Sequence, residues 1–210
     1  MKLPVKRRKK SLETHIEDAI IDHPGRLGFP RATAIRNYRI ANEESGAVDL
    51  ILFPKRGPFR VVLVEAKVAT AADAGSKVVG QLLMYYGGAL TLGLDGIDIL
   101  RKFAEDPSLA HTIPRTSPQK VVREVLKERC TNNQAFKKLQ KGHRLTPKDV
   151  ALFVALNNDP HHVLPPLIRM LRKSHRLDIS LVLVRDGKIT KFRTNSPVRI
   201  SSSQKKRARG

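Results

Sequence analysis

Two apolar stretches, Ala47-Val-Asp-Leu-Ile-Leu-Phe53 and Arg60-Val-Val-Leu-Val-Glu-Ala-Lys67, decide the fold of this chain. Their aliphatic and β-branched side chains predict two strands. The connecting residues 54 to 58 contain Pro and Gly and predict a turn. Nearly every strand position is apolar, which is typical of strands that are covered on both faces. The two stretches therefore predict a central sheet with helices packed against it.

Asp49, Glu65 and Lys67 are charged positions within these strands. If the strands form a hairpin centred near Gly57, Asp49 lies directly opposite Glu65 on the same face, and Lys67 projects from that face too. Two carboxylates that face each other repel, and burying either one without a partner is costly. A bound divalent cation removes the conflict, so the register predicts a metal site.

Composition narrows the class of protein. With 210 residues and 40% hydrophobic content, the chain can bury one substantial core. It has 40 Lys and Arg against 19 Asp and Glu, a net charge of +21 that attracts polyanions. Nucleic acid is the leading partner. A ribosomal-type structural protein and an anionic membrane surface are the other partners or roles that such a charge allows.

The sequence also predicts a compartment. Cys130 is the only cysteine, so an intramolecular disulfide is excluded and a reducing environment is expected. The basic start of the chain is not followed by the apolar region of a signal peptide, and no apolar run approaches the roughly 20 residues that span a bilayer. We expect a soluble cytoplasmic protein with no membrane partner.

The chain is predicted to hold one α/β domain over residues 11–200, between two basic and mobile tails at 1–10 and 201–210. Proline breaks and dense charge mark a helical insertion at about 94–147. The last strand–helix–strand unit predicts parallel strands joined by a right-handed crossover. The elements outside the hairpin are a helix that is capped by Ser11 and ends before His23, a strand over 34–40, a helix over 72–93, a strand over 151–156, a helix from 163 to about 175, and strands over 178–184 and 188–193.

The acidic first helix, Asp49, Glu65-Ala66-Lys67 and Gln81-Leu-Leu-Met-Tyr85 together resemble the PD-(D/E)XK nuclease superfamily, in particular its RecB-like and endonuclease NucS-like branch. The resemblance covers about residues 11 to 93. It implies an α/β fold with a central mixed β-sheet flanked by helices, which is the restriction-endonuclease-like core. The proline that gives the motif its name is absent, because Val48 precedes Asp49 in this chain.

By this resemblance, Asp49 and Glu65 would bind Mg²⁺ or Mn²⁺, with the backbone carbonyl of Ala66 as a further ligand. Glu13 matches the acid of the first helix and would reach the metal directly or through water. Glu17 lies one turn further along the same helix, and the sequence does not choose between the two.

The resemblance assigns the remaining catalytic roles to Lys67, Gln81 and Tyr85. Lys67 would position and help to deprotonate the attacking water, or offset charge in the transition state. Gln81 and Tyr85 would orient the substrate strand or the lysine. On a helix they could equally be a rim residue and a packed aromatic residue.

The resemblance and the charge together predict a divalent-metal-dependent nuclease that hydrolyses phosphodiester bonds, with DNA favoured over RNA. The alternative is a catalytically inactive module that keeps the nuclease fold and binds nucleic acid. Assembly into a homodimer stays open. The predicted phosphate contacts are basic residues on the helices and in the insertion: Lys77, Lys137, Lys138, Lys141, Arg144, Lys148, Arg169, Arg172, Lys173 and Arg176.

Overall fold

The computed structural model describes residues 11–40, 46–54, 60–71, 74–91, 94, 138 and 141–192. The predictions for both tails, for most of the 54–58 turn, for Cys130, for Lys137 and for most of the 94–147 insertion lie outside the described residues. The elements are α1 (Leu12–Asp22), β1 (Ala32–Tyr38), β2 (Val48–Pro54), β3 (Val61–Lys67), α2 (Ser76–Thr91), β4 (Val150–Leu156), α3 (Leu164–Ser174), β5 (Ile179–Arg185) and β6 (Lys188–Lys191), with short 3₁₀ helices at Pro24–Leu27 and Pro147–Asp149.

The six strands form one mixed sheet in the order β1-β2-β3-β4-β5-β6. Strands β1, β2 and β3 are antiparallel to one another, β3, β4 and β5 are parallel, and β6 returns antiparallel to β5. The β2–β3 ladder pairs Leu50 with Val64 and Leu52 with Val62. This is the register of a hairpin centred at residue 57, so the predicted register is confirmed, as is the parallel pairing of β4 with β5.

Helices cover both faces of the sheet. Ile16 and Ile20 of α1 pack with Leu50 and Val62 on one face. The other face carries α2 and α3, which pack against alternate residues of the same strands. All seven residues of β4 are buried, because that strand lies in the middle of both layers. The predicted class, an α/β protein with a mixed sheet flanked by helices, is confirmed.

The first helix begins and ends where its sequence predicts. The Ser11 hydroxyl accepts a hydrogen bond from the backbone N–H of Thr14 at 3.1 Å, which satisfies one of the unpaired donors of the first turn. The helix ends at Asp22, and the N–H of His23 bonds back to Ala19. Among the described residues, no helix combines the length and the apolar character needed to cross a membrane.

The predicted boundaries are wrong for β1 and for the start of α2, and β6 ends at Lys191 rather than at 193. Strand β1 occupies Ala32–Tyr38 rather than 34–40, because Ile40 leaves the sheet and is buried against α2. A Cβ on Gly88 would lie 3.2 Å from the Ile40 side chain, so this glycine permits the close approach. Helix α2 begins at Ser76 rather than at 72, because a turn closed by the bond from the Ala74 N–H to the Ala71 carbonyl precedes it.

Candidate functional site

The two predicted acids meet where β2 begins and β3 ends, which we call one edge of the sheet. Continued by one residue, the β2–β3 ladder places Asp49 opposite Glu65. The backbone N–H of Ala66 donates to Asp49 Oδ2 at 2.7 Å, which holds that carboxylate against the end of β3. Burial raises the pKa of Asp49, although the Ala66 N–H and the charge of Lys67 partly offset the effect. The contact confirms the predicted proximity of the two strand ends.

Glu65 is the most deeply buried charged side chain of the site, with 2% of its surface exposed. Its Oε1 lies 3.2 Å from Lys67 Nζ. Its Oε2 is buried and, by distance and angle, lacks a hydrogen-bond partner among the described residues. The Glu65 carboxyl group nevertheless lies within hydrogen-bonding range of the Asp49 carboxyl group and backbone N–H. Burial and the negative charge of Asp49 raise the pKa of Glu65 to about 7, even though the Lys67 ammonium opposes the shift. A buried carboxylate oxygen without a partner is an acceptor in need of a donor or a cation.

Lys67 is surrounded by acids. Its Nζ lies 3.2 Å from Glu65 and 3.8 Å from Glu13 Oε1, and only 13% of the side chain is exposed. Burial lowers the pKa of Lys67, but the charges of Glu65, Asp49 and Glu13 outweigh that effect and leave the pKa above its ordinary value. The side chain is therefore an ammonium ion at neutral pH.

The structure separates the two candidate acids of the first helix. Glu13 reaches Lys67 from the first turn of α1. Glu17 instead pairs with Arg36 of β1, whose guanidinium also binds Asp18. Burial raises the pKa of Glu17 in spite of Arg36, and the negative charge of nearby Asp49 adds to the rise. Glu13 is thus the acid that joins the Asp49–Glu65–Lys67 cluster, and Glu17 anchors α1 to the sheet.

Tyr85 and Gln81 lie on α2, beside the same edge. The Tyr85 hydroxyl donates to the Ala47 carbonyl at 3.0 Å, just before β2 begins. Burial and the nearby charges of Glu65 and Asp49 raise the pKa of Tyr85 to about 12, so the phenol stays protonated. The Gln81 Oε1 is buried without a hydrogen-bond partner in the described part of the chain. Tyr85 therefore braces the strand that carries Asp49.

The predicted phosphate contacts do not lie together. Lys77 is exposed in the first turn of α2, close after β3 in the chain. Lys148 precedes β4, and α3 runs back toward the start of β5, so several basic residues lie at the opposite edge of the sheet. Strands of seven residues separate the two edges by about 20 Å. The predicted residues at or near that far edge are Lys141, Arg144, Lys148, Arg172, Lys173 and Arg176, all exposed, and the half-buried Arg169.

Lys138 is engaged within the protein. Its Nζ lies 2.8 and 2.7 Å from the two carboxylate oxygens of Asp149. The pKa of Asp149 is lowered, because the bonds from Lys138 and Thr146 outweigh its burial. This lysine therefore stabilises the approach to β4, and a phosphate would have to compete with Asp149 for it.

Two residues that support the site, Arg36 and Asn157, belong to no motif that could have been recognised in the sequence. Arg36 fixes α1 through Glu17 and Asp18, and its strand alternation resembles that of any surface arginine. Asn157 follows β4, and its Oδ1 accepts from the Ala69 N–H at 2.8 Å, which ties the segment after Lys67 to the next strand. The contact between Ala69 and Asn157 follows from the pairing of Lys67 with Leu156 across β3 and β4, which the sequence did not predict.

The donors at this edge fit a hard divalent cation of low protein coordination. Asp49 and Glu65 supply carboxylate oxygens, and the orphaned Oε2 of Glu65 is the strongest single indication. Among the described residues, no group of three or more His, Cys, Asp or Glu side chains is arranged to hold a metal ion. Mg²⁺ is commonly held by one or two carboxylates and completes its octahedron with waters and substrate phosphate oxygens.

No family model, no curated protein and no solved structure matches this chain. Geometry alone therefore defines its class. The chain is an α/β protein with a mixed six-stranded sheet, and two acids and a lysine meet at the carboxyl end of its third strand.

Proposed function

We propose that this protein is a divalent-metal-dependent nuclease that hydrolyses phosphodiester bonds in DNA. The observation that carries the proposal is the pairing of Asp49 with a buried Glu65, whose Oε2 has no hydrogen-bond partner among the described residues. Packing alone selects against two facing acids at a buried strand end, because both must lose hydration. The arrangement is favoured when a cation binds between them.

The order of the elements supports a restriction-endonuclease-like core. Helix α1 is followed by the antiparallel strands β1, β2 and β3, then by α2 and by β4, which is parallel to β3. The resemblance to the PD-(D/E)XK superfamily implies this order. It also implies acids at the positions of Asp49 and Glu65 and a lysine two residues after the glutamate.

The residues divide the chemistry among them. Asp49 and Glu65 would hold Mg²⁺ or Mn²⁺, with the Ala66 carbonyl next to both. The ion would lower the pKa of a water and polarise the scissile phosphoryl group. Lys67 would take part in the reaction as an ammonium ion, since its pKa is raised. It would offset the negative charge that develops on the phosphate. Glu13 holds that ammonium in place.

The net charge of +21 supports a polyanionic substrate. The exposed basic residues at the far edge lie too distant to touch the scissile phosphate, and they would contact the backbone several nucleotides away. A nucleic-acid-binding module without catalysis would show the same charge. Hydrolysis that depends on the acids separates the two functions.

The test is cleavage of labelled single-stranded, duplex and branched DNA, and of RNA, by purified protein with Mg²⁺, with Mn²⁺ and with EDTA. Asp49→Asn keeps an acceptor for the Ala66 N–H and removes the charge. We expect it to slow cleavage by at least about 10²-fold, because a ligand of the ion contributes several kcal/mol. Asp22→Asn, an equally conservative change at the exposed end of α1, is the matched control.

Cleavage that persists unchanged in the Asp49 variant would refute the site. Salt-sensitive binding of every substrate without a cleaved product would establish the binding module instead. Activity that survives EDTA would exclude the metal-dependent mechanism. The folded state of each variant is checked by its urea unfolding midpoint, so that loss of structure is not read as loss of chemistry.

The two acids of α1 give a second prediction. Glu13→Gln should slow cleavage by about tenfold, because a residue that orients a catalytic group commonly contributes that much. Glu17→Gln should leave the rate unchanged, since Glu17 faces Arg36 and not Lys67. Rates are measured for both variants at saturating Mg²⁺. A slower Glu17 variant beside a normal Glu13 variant would reverse the assignment.

A further inference from the structure

A cavity of about 420 Å³ lies against the first turns of α1. We call it the α1 cavity. It is bounded by the first turns of α1, by the residues that follow β4 and by the turn between β5 and β6. Its lining includes Leu12, His15, Ile16, Asn157, Asn158 and the segment 184–187. None of these residues was predicted from the sequence as a site residue.

The α1 cavity is one strand away from Lys67. Lys67 pairs with Leu156 across β3 and β4, and Asn157 follows directly. The Ala69–Asn157 hydrogen bond joins the chain after Lys67 to the cavity wall. Glu13, which contacts Lys67, lies on α1 next to Leu12. Because neighbouring strands are about 4.8 Å apart, a group bound here lies within a nucleotide or two of a phosphate at the cluster.

The lining combines an apolar floor with a polar rim. Ile16 and Val184 are buried, whereas Leu12 exposes 58% of its surface and is the apolar residue that a ligand at the cavity could cover. His15 is fixed through Nδ1, which bonds to the Ser11 carbonyl, and so its Nε2 is the ring nitrogen that can meet a ligand. Apolar walls with a few fixed polar groups are typical of a site for a planar heterocycle.

The polar rim suits a nucleobase better than a phosphate. Asn158 Oδ1 accepts from Arg185 Nη2 at 3.0 Å, so the amide nitrogen of Asn158 remains as a donor. Arg185 also forms an ion pair with Asp159 at 2.7 Å, which offsets the positive charge of the guanidinium. Asp186 lines the cavity and repels an anion. The rim therefore offers hydrogen bonds to a base edge and no excess of positive charge.

We propose that the α1 cavity binds one unpaired nucleobase next to the scissile phosphate, so that the substrate is nucleic acid that is single-stranded or locally opened at the cut. The inference rests on the proposed nuclease function for the phosphate and on the cavity's own chemistry for the base. A base inside an intact duplex cannot enter, because its edges are paired and its faces are stacked. Unpaired bases bind readily in sites that combine stacking with hydrogen bonds.

The test measures binding without cleavage. The full chain is titrated in EDTA with a short oligothymidylate and with an oligomer of equal length and charge that lacks every base. We expect the oligothymidylate to bind at least about tenfold more tightly, because a base packed on Leu12 and Ile16 removes apolar surface from water and hydrogen-bonds to the rim. Leu12→Ala and Asn158→Ala should remove most of this preference. Met170→Ala, which alters an exposed apolar residue on α3, is the control and should keep it.

Equal affinity for the two oligomers would overturn the proposal, and so would a preference that both cavity variants retain. The proposed function is tested separately with Mg²⁺. An active enzyme should cut single-stranded DNA at least about tenfold faster than a continuous duplex of the same sequence, because the duplex must first be opened. If no substrate is cut, the nuclease proposal fails while the binding measurement still decides the cavity.

Discussion

Replacing Lys67 by methionine is expected to slow Mg²⁺-dependent cleavage by about 10³-fold, because on the proposed mechanism the variant loses the ammonium ion that would face the scissile phosphate. The side chain is 13% exposed, and Glu65 and Glu13 hold it within 3.2 and 3.8 Å. Methionine keeps the unbranched shape and most of the length of the side chain without its charge. Binding of DNA should change little, since one charge is removed from a net charge of +21.

The same variant should bind Mn²⁺ at lower concentration than the wild type, because the ammonium that repels the ion is gone. The measurements are single-turnover cleavage, the Kd for DNA in EDTA and the Mn²⁺ concentration that gives half-maximal protection against urea. Lys188→Met, an exposed lysine of β6, is the control. A Lys67 variant that cuts within tenfold of the wild type would refute its role, and a matching loss of DNA binding would make it a phosphate contact instead.

The metal-free protein is expected to lose stability as the pH rises from about 5 to about 8, and Glu65→Gln should abolish much of that loss. The pKa of Glu65 is 4.5 in the ordinary case and about 7 in the folded protein. Between these values the folded state binds more protons than the unfolded state, so raising the pH favours unfolding. A rise of the pKa from 4.5 to about 7 corresponds to a full effect of about 3 kcal/mol.

Urea unfolding in EDTA at pH 5 and at pH 8 measures this effect. The free energy of unfolding of Glu65→Gln, relative to the wild type, should increase by about 2.5 kcal/mol between the two pH values, since part of the full effect is already lost at pH 5. At pH 8, added Mn²⁺ should stabilise the wild type and not the variant, because the ion binds the ionised carboxylate. Asp22→Asn, which keeps Glu65, is the control variant and should retain the stabilisation by Mn²⁺. A difference between Glu65→Gln and wild type that stays constant with pH would show that Glu65 titrates normally in the fold.

Local patterns predicted the elements that have strong signals of their own. Ser11 and the helical spacing of Leu12, Ile16 and Ile20 defined α1, and the unbroken apolar runs defined β2 and β3. The boundary of β1 failed because a distant contact decided it. Ile40 continues an apolar strand pattern, but it is buried against Gly88, a residue 48 positions away.

The sequence by itself determined which acids and which lysine could meet, because a hairpin register depends only on residues close together in the chain. Asp49, Glu65 and Lys67 were predicted in that way, and the ladder agrees. Only the tertiary structure decided between Glu13 and Glu17, since the choice depends on how α1 crosses the sheet and on Arg36. The α1 cavity likewise arises from three segments that are far apart in the chain, and their juxtaposition is set by the packing of helix on sheet rather than by any local pattern.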